Sequence, residues 1–131
     1  FALPNTDGSN ISSIASTSHL VFGAAGEYYI QFSLQMANSD NASDHNAWVW
    51  FRKNGTDIAN SATQFIVSKN GGAVCGTVNL LISSANTTDY CEIVYAVDNT
   101  NVTFPGVASS ASPFTRPAIP SVIVTSTPIG A

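Results

Sequence analysis

The chain has 131 residues, which is enough for one domain and not for two. It is 44% apolar and 10% aromatic, but only 9% of its residues are charged; a typical soluble domain carries roughly 25%. The aromatic content excludes intrinsic disorder, and the scarcity of charge excludes a coiled coil. Four basic residues and a net charge of −4 exclude a nucleic-acid-binding surface. No apolar run approaches the roughly 20 residues of a membrane-spanning helix.

Hydroxyl and amide side chains supply most of the polarity. The chain contains 17 serines, 12 threonines and 12 asparagines. These groups hydrate a surface without creating strong electrostatic fields, so such a surface adheres weakly to nucleic acids and to charged membranes. The composition suits a domain that stays dispersed outside a cell.

Hydrophobic periodicity predicts β-strands along most of the chain. Between residues 28 and 36 the even-numbered side chains are apolar and the odd-numbered ones are mostly polar, which is the period of a strand with one buried face. Residues 47–51 and 121–124 are apolar on both faces, so these strands are expected to be covered on both sides. The predicted strands are residues 18–22, 28–36, 47–51, 64–68, 72–82, 91–97, 101–104 and 121–124.

Turn residues and loops separate these strands. Asn54-Gly55 and Asn70-Gly71-Gly72 are typical of tight turns. Residues 38–46 and 105–120 lack the alternation and are predicted to be loops. About eight strands with this spacing indicate an all-β antiparallel sandwich or barrel. We assign this domain to residues 19–131 and predict an extended arm or tether in residues 1–18.

The order of several segments resembles a known family. A Gly-Glu-Tyr-Tyr-Ile-Gln-Phe strand at residues 26–32 is followed by Trp-Val-Trp-Phe-Arg-Lys-Asn-Gly at 48–55 and Asp-Ile-Ala-Asn-Ser-Ala-Thr at 57–63, and Ile-Pro-Ser-Val-Ile-Val closes the chain at 119–124. This order resembles the jelly-roll domains, similar to tumour necrosis factor and the complement globular head, in structural proteins of tailed bacteriophages. Many members carry Ala-Gly-Asp before the penultimate strands; here the matching place reads Thr88-Asp89-Tyr90, so only the aspartate is kept.

The resemblance implies a fold and a role. The fold is an antiparallel two-sheet jelly-roll sandwich of about eight to ten strands. The role is that of a non-enzymatic virion structural protein on the particle surface: a homotrimeric capsid decoration, head fibre or tail fibre tip. The expected partners are two further copies of the chain and other virion proteins such as the major capsid protein, without nucleic acid or membrane. The family has no shared catalytic residues, and we expect no cofactor.

Aromatic residues are the candidates for the core and the interface. We predict that Tyr28, Phe32, Trp48, Trp50 and Tyr95 form the core and the three-fold interface. The alternative is a carbohydrate-binding module that recognises a host surface glycan, in which Tyr29, Trp48 and Trp50 would contact the sugar together with the loop at residues 38–46. A secreted signalling ligand is a third reading, but it requires a eukaryotic secretory context that the chain does not show.

Other reactive side chains favour structural roles. His19 lies in a predicted strand, and no Gly-x-Ser-x-Gly motif accompanies the serines. Asp40, Asp44 and His45 lie in one polar loop, but their spacing does not match a calcium-binding EF-hand, so we predict no metal site. Cys75 and Cys91 are interpreted as two free thiols in preference to a disulfide.

Overall fold

A computed structural model describes residues 12–14 and 18–130. The described residues form strands, turns and loops and contain no helix, and therefore none that is long and apolar enough to cross a membrane. The strands are β1 Ser12–Ile14, β2 Leu20–Phe22, β3 Gly26–Asn38, β4 His45–Lys53, β5 Thr56–Asp57, β6 Thr63–Val67, β7 Ala73–Ser84, β8 Tyr90–Val97, β9 Val102–Thr103 and β10 Val122–Gly130.

The strands form two antiparallel sheets. Sheet I has the order β1-β2-β8-β4, and the free edge of β4 pairs with β6 and β5. Sheet II has the order β10-β3-β7, with β9 pairing to the end of β3. The pairs β4–β6, β3–β7 and β2–β8 are nested inside one another, as in a long hairpin that has been rolled up. This all-β, antiparallel two-sheet sandwich is the predicted jelly roll.

The core lies between the two sheets and is built by alternating side chains of the two central strands. In β3 the even-numbered residues from Tyr28 to Asn38 are buried, and in the middle of β4 the odd-numbered residues are buried. Phe32 of β3 meets Phe51 of β4 edge to face at 5.0 Å between ring centroids. Phe22 of β2 contacts Tyr28 of β3 at 4.6 Å, so aromatic pairs join the sheets at two places. The period of two read from the sequence therefore sets which side chains enter the core.

The eight predicted strands all occur, with their ends shifted by a few residues. The two predicted turns occur as well. Asn54 and Gly55 have φ values of 50° and 81°, and Asn70 and Gly71 have values of 62° and 73°. Positive φ at both central residues is the conformation that Asn-Gly adopts most readily in hairpins.

The predicted tether, residues 1–18, lies largely outside the described residues. Within it, Ser12–Ile14 form β1, which pairs with β2 at the edge of sheet I. Cys75 lies exposed in sheet II and Cys91 lies buried in sheet I, and both are free thiols. Burial raises the pKa of Cys91 to about 12, so this thiol is inert in the folded chain.

Asp89 connects two turns at one end of the sandwich. Its carboxylate accepts hydrogen bonds from Asn54 Nδ2 at 2.9 Å and from the backbone N–H groups of Ala85 and Asn86 at 3.0 and 3.1 Å. Lys53 Nζ lies 3.8 Å away. The Asn54 amide and these backbone donors, with the Lys53 charge, lower the pKa of Asp89 to about 2. Asp89 thus has a structural role in this chain, because it joins two turns.

We predict that Asp89→Asn weakens the fold in a pH-dependent manner. An unfolded aspartate titrates at about 3.9, whereas folded Asp89 titrates at about 2. The carboxylate therefore contributes its full stabilisation above pH ~4, and this contribution is lost as the pH falls toward 2. The free energy of unfolding, measured in urea from pH 7 to pH 2, should differ most between wild type and variant above pH ~4, and the difference should shrink below it. A difference that stays constant across this range would contradict the assignment.

Candidate interaction surfaces

The predicted aromatic residues divide between the core and the outer surfaces. Tyr28 and Phe32 are fully buried core residues of β3. Trp48 and Trp50 lie on the outer face of sheet I and are partly buried. Tyr95 shares the core-facing side of β8 with Ile93, yet its side chain is 47% exposed and packs on Phe104 at 4.5 Å between centroids. Because Trp48 and Trp50 lie outside the core, they are available for contacts with other molecules.

We call the outer face of sheet I around Trp48 and Trp50 the tryptophan face. One carboxylate, that of Asp57, orients Trp50 and Arg52 on this face. Trp50 Nε1 donates a hydrogen bond to Asp57 Oδ1 at 2.9 Å, and Arg52 Nε donates to the same oxygen at 2.8 Å. These two donors lower the pKa of Asp57. Trp48 is next to Gln64 of β6 and Ala96 of β8 in the register of the sheet. An oriented indole beside a carboxylate and a guanidinium is chemically suited to a neutral polar ligand such as a sugar.

Tyr29 lies on the opposite side of the molecule from the tryptophans. It projects from the outer face of sheet II, where it is next to Leu81 of β7 and Thr127 of β10. The outer faces of the two sheets point away from each other. Tyr29 therefore does not share a binding surface with Trp48 and Trp50 within one protomer, and the three predicted glycan contacts are not brought together.

The outer face of sheet II is broad and almost free of charge; we call it the neutral face. Glu27, at the start of β3, is the one charged residue in the four strands of this sheet. Leu81 is 55% exposed and Ile123 is 51% exposed. The neutral face consists of the outward side chains Glu27, Tyr29, Gln31, Ser33, Gln35, Cys75, Thr77, Asn79, Leu81, Ser83, Ile123, Thr125 and Thr127.

A shallow depression of about 230 Å³ lies within the neutral face. Its lining comes from all three main strands of the sheet: Gln31, Phe32, Ser33, Thr77, Ile123 and Thr125. Small-molecule pockets usually have volumes of about 300–1,000 Å³. The depression is therefore closer in size to the seat of a single side chain than to a substrate site.

Leu81 and Ile123 were not among the predicted interface residues. A signal for them exists in the sequence, because Leu80-Leu81-Ile82 and Val122-Ile123-Val124 are apolar at three consecutive positions. In a strand, neighbouring side chains point to opposite faces. One residue of each triplet must therefore lie on the outer face of its sheet.

The polar side chains of the loop between β3 and β4 make hydrogen bonds and ion pairs with other groups of the chain. His45 Nε2 lies 2.7 Å from Asp40 Oδ2, and His45 Nδ1 lies 3.6 Å from Asp98 Oδ1. The Ala42 N–H and His45 lower the pKa of Asp40, and the Asn46 amide and N–H lower that of Asp98. No group of three or more His, Cys, Asp or Glu side chains in the described part of the chain is arranged to hold a metal ion. The loop therefore acts as a structural clamp between β3, β4 and the end of β8.

The second histidine also makes structural contacts. His19 stacks on Tyr90 at 3.9 Å between ring centroids, and its Nε2 lies 3.6 Å from Glu92 Oε2. Ser18 Oγ donates a hydrogen bond to that same carboxylate oxygen at 3.1 Å. In a nucleophilic triad the hydroxyl donates to the imidazole and not to the acid. This arrangement therefore lacks the geometry that activates a serine.

Comparison with known proteins adds no family assignment. No protein-family model matches the chain, and a search of curated proteins gives no match either. The outer surfaces of the sandwich therefore carry the evidence about function. The tryptophan face and the neutral face are its two broad candidate interaction surfaces.

Proposed function

We propose that the chain is a non-enzymatic structural module of a tailed-phage virion. It assembles as a homotrimer on the particle surface, as a capsid decoration, a head fibre or a tail fibre tip, and it contacts other virion proteins such as the major capsid protein. The neutral face is the observation on which this proposal depends, because it offers an assembly surface that the protomer itself leaves uncovered.

Charge distribution supports burial of the neutral face between copies. Copies of a chain with a net charge of −4 repel one another. They approach with the least repulsion over a surface that carries little charge, and Glu27 is the one charged residue in the strands of sheet II. The buried centres of protein interfaces are likewise depleted in charge and enriched in aromatic residues. Tyr29, Leu81 and Ile123 would supply the apolar contacts at such an interface.

The remaining observations are consistent with a structural role. The jelly-roll topology fits the resemblance to virion domains of this type. Both histidines contact carboxylates that also bind other structural groups, so neither is placed as a base beside a nucleophile. The serine-, threonine- and asparagine-rich composition keeps an exposed particle hydrated at low charge.

We predict that Leu81→Lys, and separately Ile123→Lys, converts the trimer to a monomer. Both side chains are about half exposed in the protomer, so the substitutions should change the free energy of unfolding of the protomer by only about 0.5 kcal/mol. In the trimer each would place three unpaired ammonium groups in a buried interface. Light scattering should give a mass of three times 13.7 kDa for the wild type and 13.7 kDa for each variant.

Ile66→Lys is the matched control for this experiment. Ile66 is 65% exposed and lies in β6 of the opposite sheet, so its replacement should leave the trimer intact. A wild type that is monomeric at all concentrations would overturn the proposal. Lysine variants that remain trimeric would show that the neutral face is not the interface.

The second candidate function is recognition of a host surface glycan by the tryptophan face. The hydrogen bond from Trp50 to Asp57 favours it, because a fixed indole plane is a ready stacking surface for a sugar ring. If this function holds, a bacterial surface polysaccharide should change the tryptophan fluorescence. Trp50→Ala should remove that response, whereas Tyr29→Ala, on the other face, should preserve it. Fluorescence that is unchanged by every glycan tested would eliminate this candidate.

A further inference from the structure

Residues 105–120, which join β9 to β10, form a hairpin-like segment that we call the finger. Its two arms are joined by reciprocal backbone hydrogen bonds: Val107 with Ile119, both at 2.8 Å, and Ser110 with Arg116 at 3.2 and 2.8 Å. The sequence predicts a loop for this segment, because the strand alternation is absent from it. Backbone hydrogen bonds thus pair the two arms of the finger within the protomer.

The charged side chain of the finger makes hydrogen bonds within the finger. Arg116 Nη1 donates hydrogen bonds to the backbone oxygens of Ala108 at 3.0 Å and Pro117 at 3.2 Å. Arg116 is the one charged residue among residues 105–120. The guanidinium therefore binds the two arms together, and the remaining side chains of the finger are neutral.

An aromatic residue stands at the far end of the finger. Phe114 lies between the paired positions Ser110 and Arg116 and is 65% exposed. At this exposure the ring does not fill the depression of its own protomer. Aromatic residues including phenylalanine are enriched at protein interfaces, and a side chain on a preorganised support loses little conformational entropy when it binds.

We propose that Phe114 of one protomer inserts into the depression of the neutral face of the next protomer. The depression, at about 230 Å³, is of a size for one side chain, and it is lined without charge by Ile123 and by the polar residues Gln31, Ser33, Thr77 and Thr125. The depression carries no charged side chain, and the one charge of the finger, Arg116, is positive in a chain of net charge −4, so no like charges oppose this contact. This inference depends on the proposed homotrimer and specifies how its subunits contact one another.

The geometry of such a contact leads to a ring. The finger and the depression are different surfaces of the protomer. Each protomer therefore inserts its finger into one neighbour and accepts the finger of the other neighbour in its depression. Head-to-tail contacts of this kind close into a cyclic assembly when the rotation between subunits permits it. The finger lies immediately before β10, and β10 contributes Ile123 and Thr125 to the depression. The finger and one wall of the depression therefore belong to consecutive segments of the chain.

The test compares the dissociation of the full chain with that of finger variants by analytical ultracentrifugation across a dilution series. Phe114→Ser should raise the dissociation constant by roughly 30-fold or more, the size of a hot-spot loss. Phe114→Leu, which keeps an apolar side chain, should have a smaller effect, and Ser109→Ala on the same finger should have none. The circular dichroism spectra should stay unchanged, since Phe114 has no role in the core.

A second measurement tests the contact itself. In a Cys75→Ser background, the pair Phe114→Cys and Thr77→Cys should form disulfides between chains on mild oxidation, giving covalent dimers and trimers and no larger species. A wild-type trimer with unaltered dissociation in Phe114→Ser and no cross-linking would overturn the finger contact while leaving the trimer in place. A monomeric wild type would overturn both the finger contact and the proposed assembly.

Discussion

The contact between the alternating side chains of β3 and β4 determines the rest of this structure. Phe32 of β3 and Phe51 of β4 meet edge to face between the sheets. Loss of a buried phenylalanine typically costs about 3–5 kcal/mol, a large share of the about 5–15 kcal/mol that keeps a domain folded. Since neighbouring residues of a strand point to opposite sides, the same alternation also determines what each sheet presents outward. The two outer faces are therefore consequences of the core.

The two outer faces differ in chemistry because charge is distributed unevenly between the sheets. Sheet I carries Arg52, Asp57 and Glu92 beside its tryptophans, and these charges form ion pairs or hydrogen bonds. The outward positions of sheet II carry amides, hydroxyls and a few large apolar side chains. Sixteen apolar residues of the described part of the chain are buried in the core, whereas Leu81 and Ile123 stay about half exposed on sheet II. The exposure of these two apolar side chains favours contact of sheet II with another copy of the chain.

The sequence determined the strands more fully than the surfaces. Period-two alternation predicted β3 and β8, and the Asn-Gly dipeptides predicted the turns that follow β4 and β6, because both signals are local. The placement of Trp48 and Trp50 on one face of β4 followed from the same rule. The separation of Tyr29 from the tryptophans could not be predicted, since it depends on which sheet each strand joins. The role of Asp89 was equally hidden, because its partner Asn54 is brought close only by the pairing of β4 with β8. The pairing within the finger was also missed, because prolines and short side chains mask its strand pattern.

Hydroxyl-radical footprinting of the native wild-type protein measures the burial of the neutral face most directly. The reagent modifies side chains in proportion to their exposure to solvent, and Ile66, on the other sheet, serves as an internal reference. If copies of the chain cover the neutral face, Leu81 and Ile123 will be modified far more slowly than Ile66, and dilution below the dissociation constant will remove this protection. Modification of all three residues at similar rates in the concentrated protein would contradict assembly through this face.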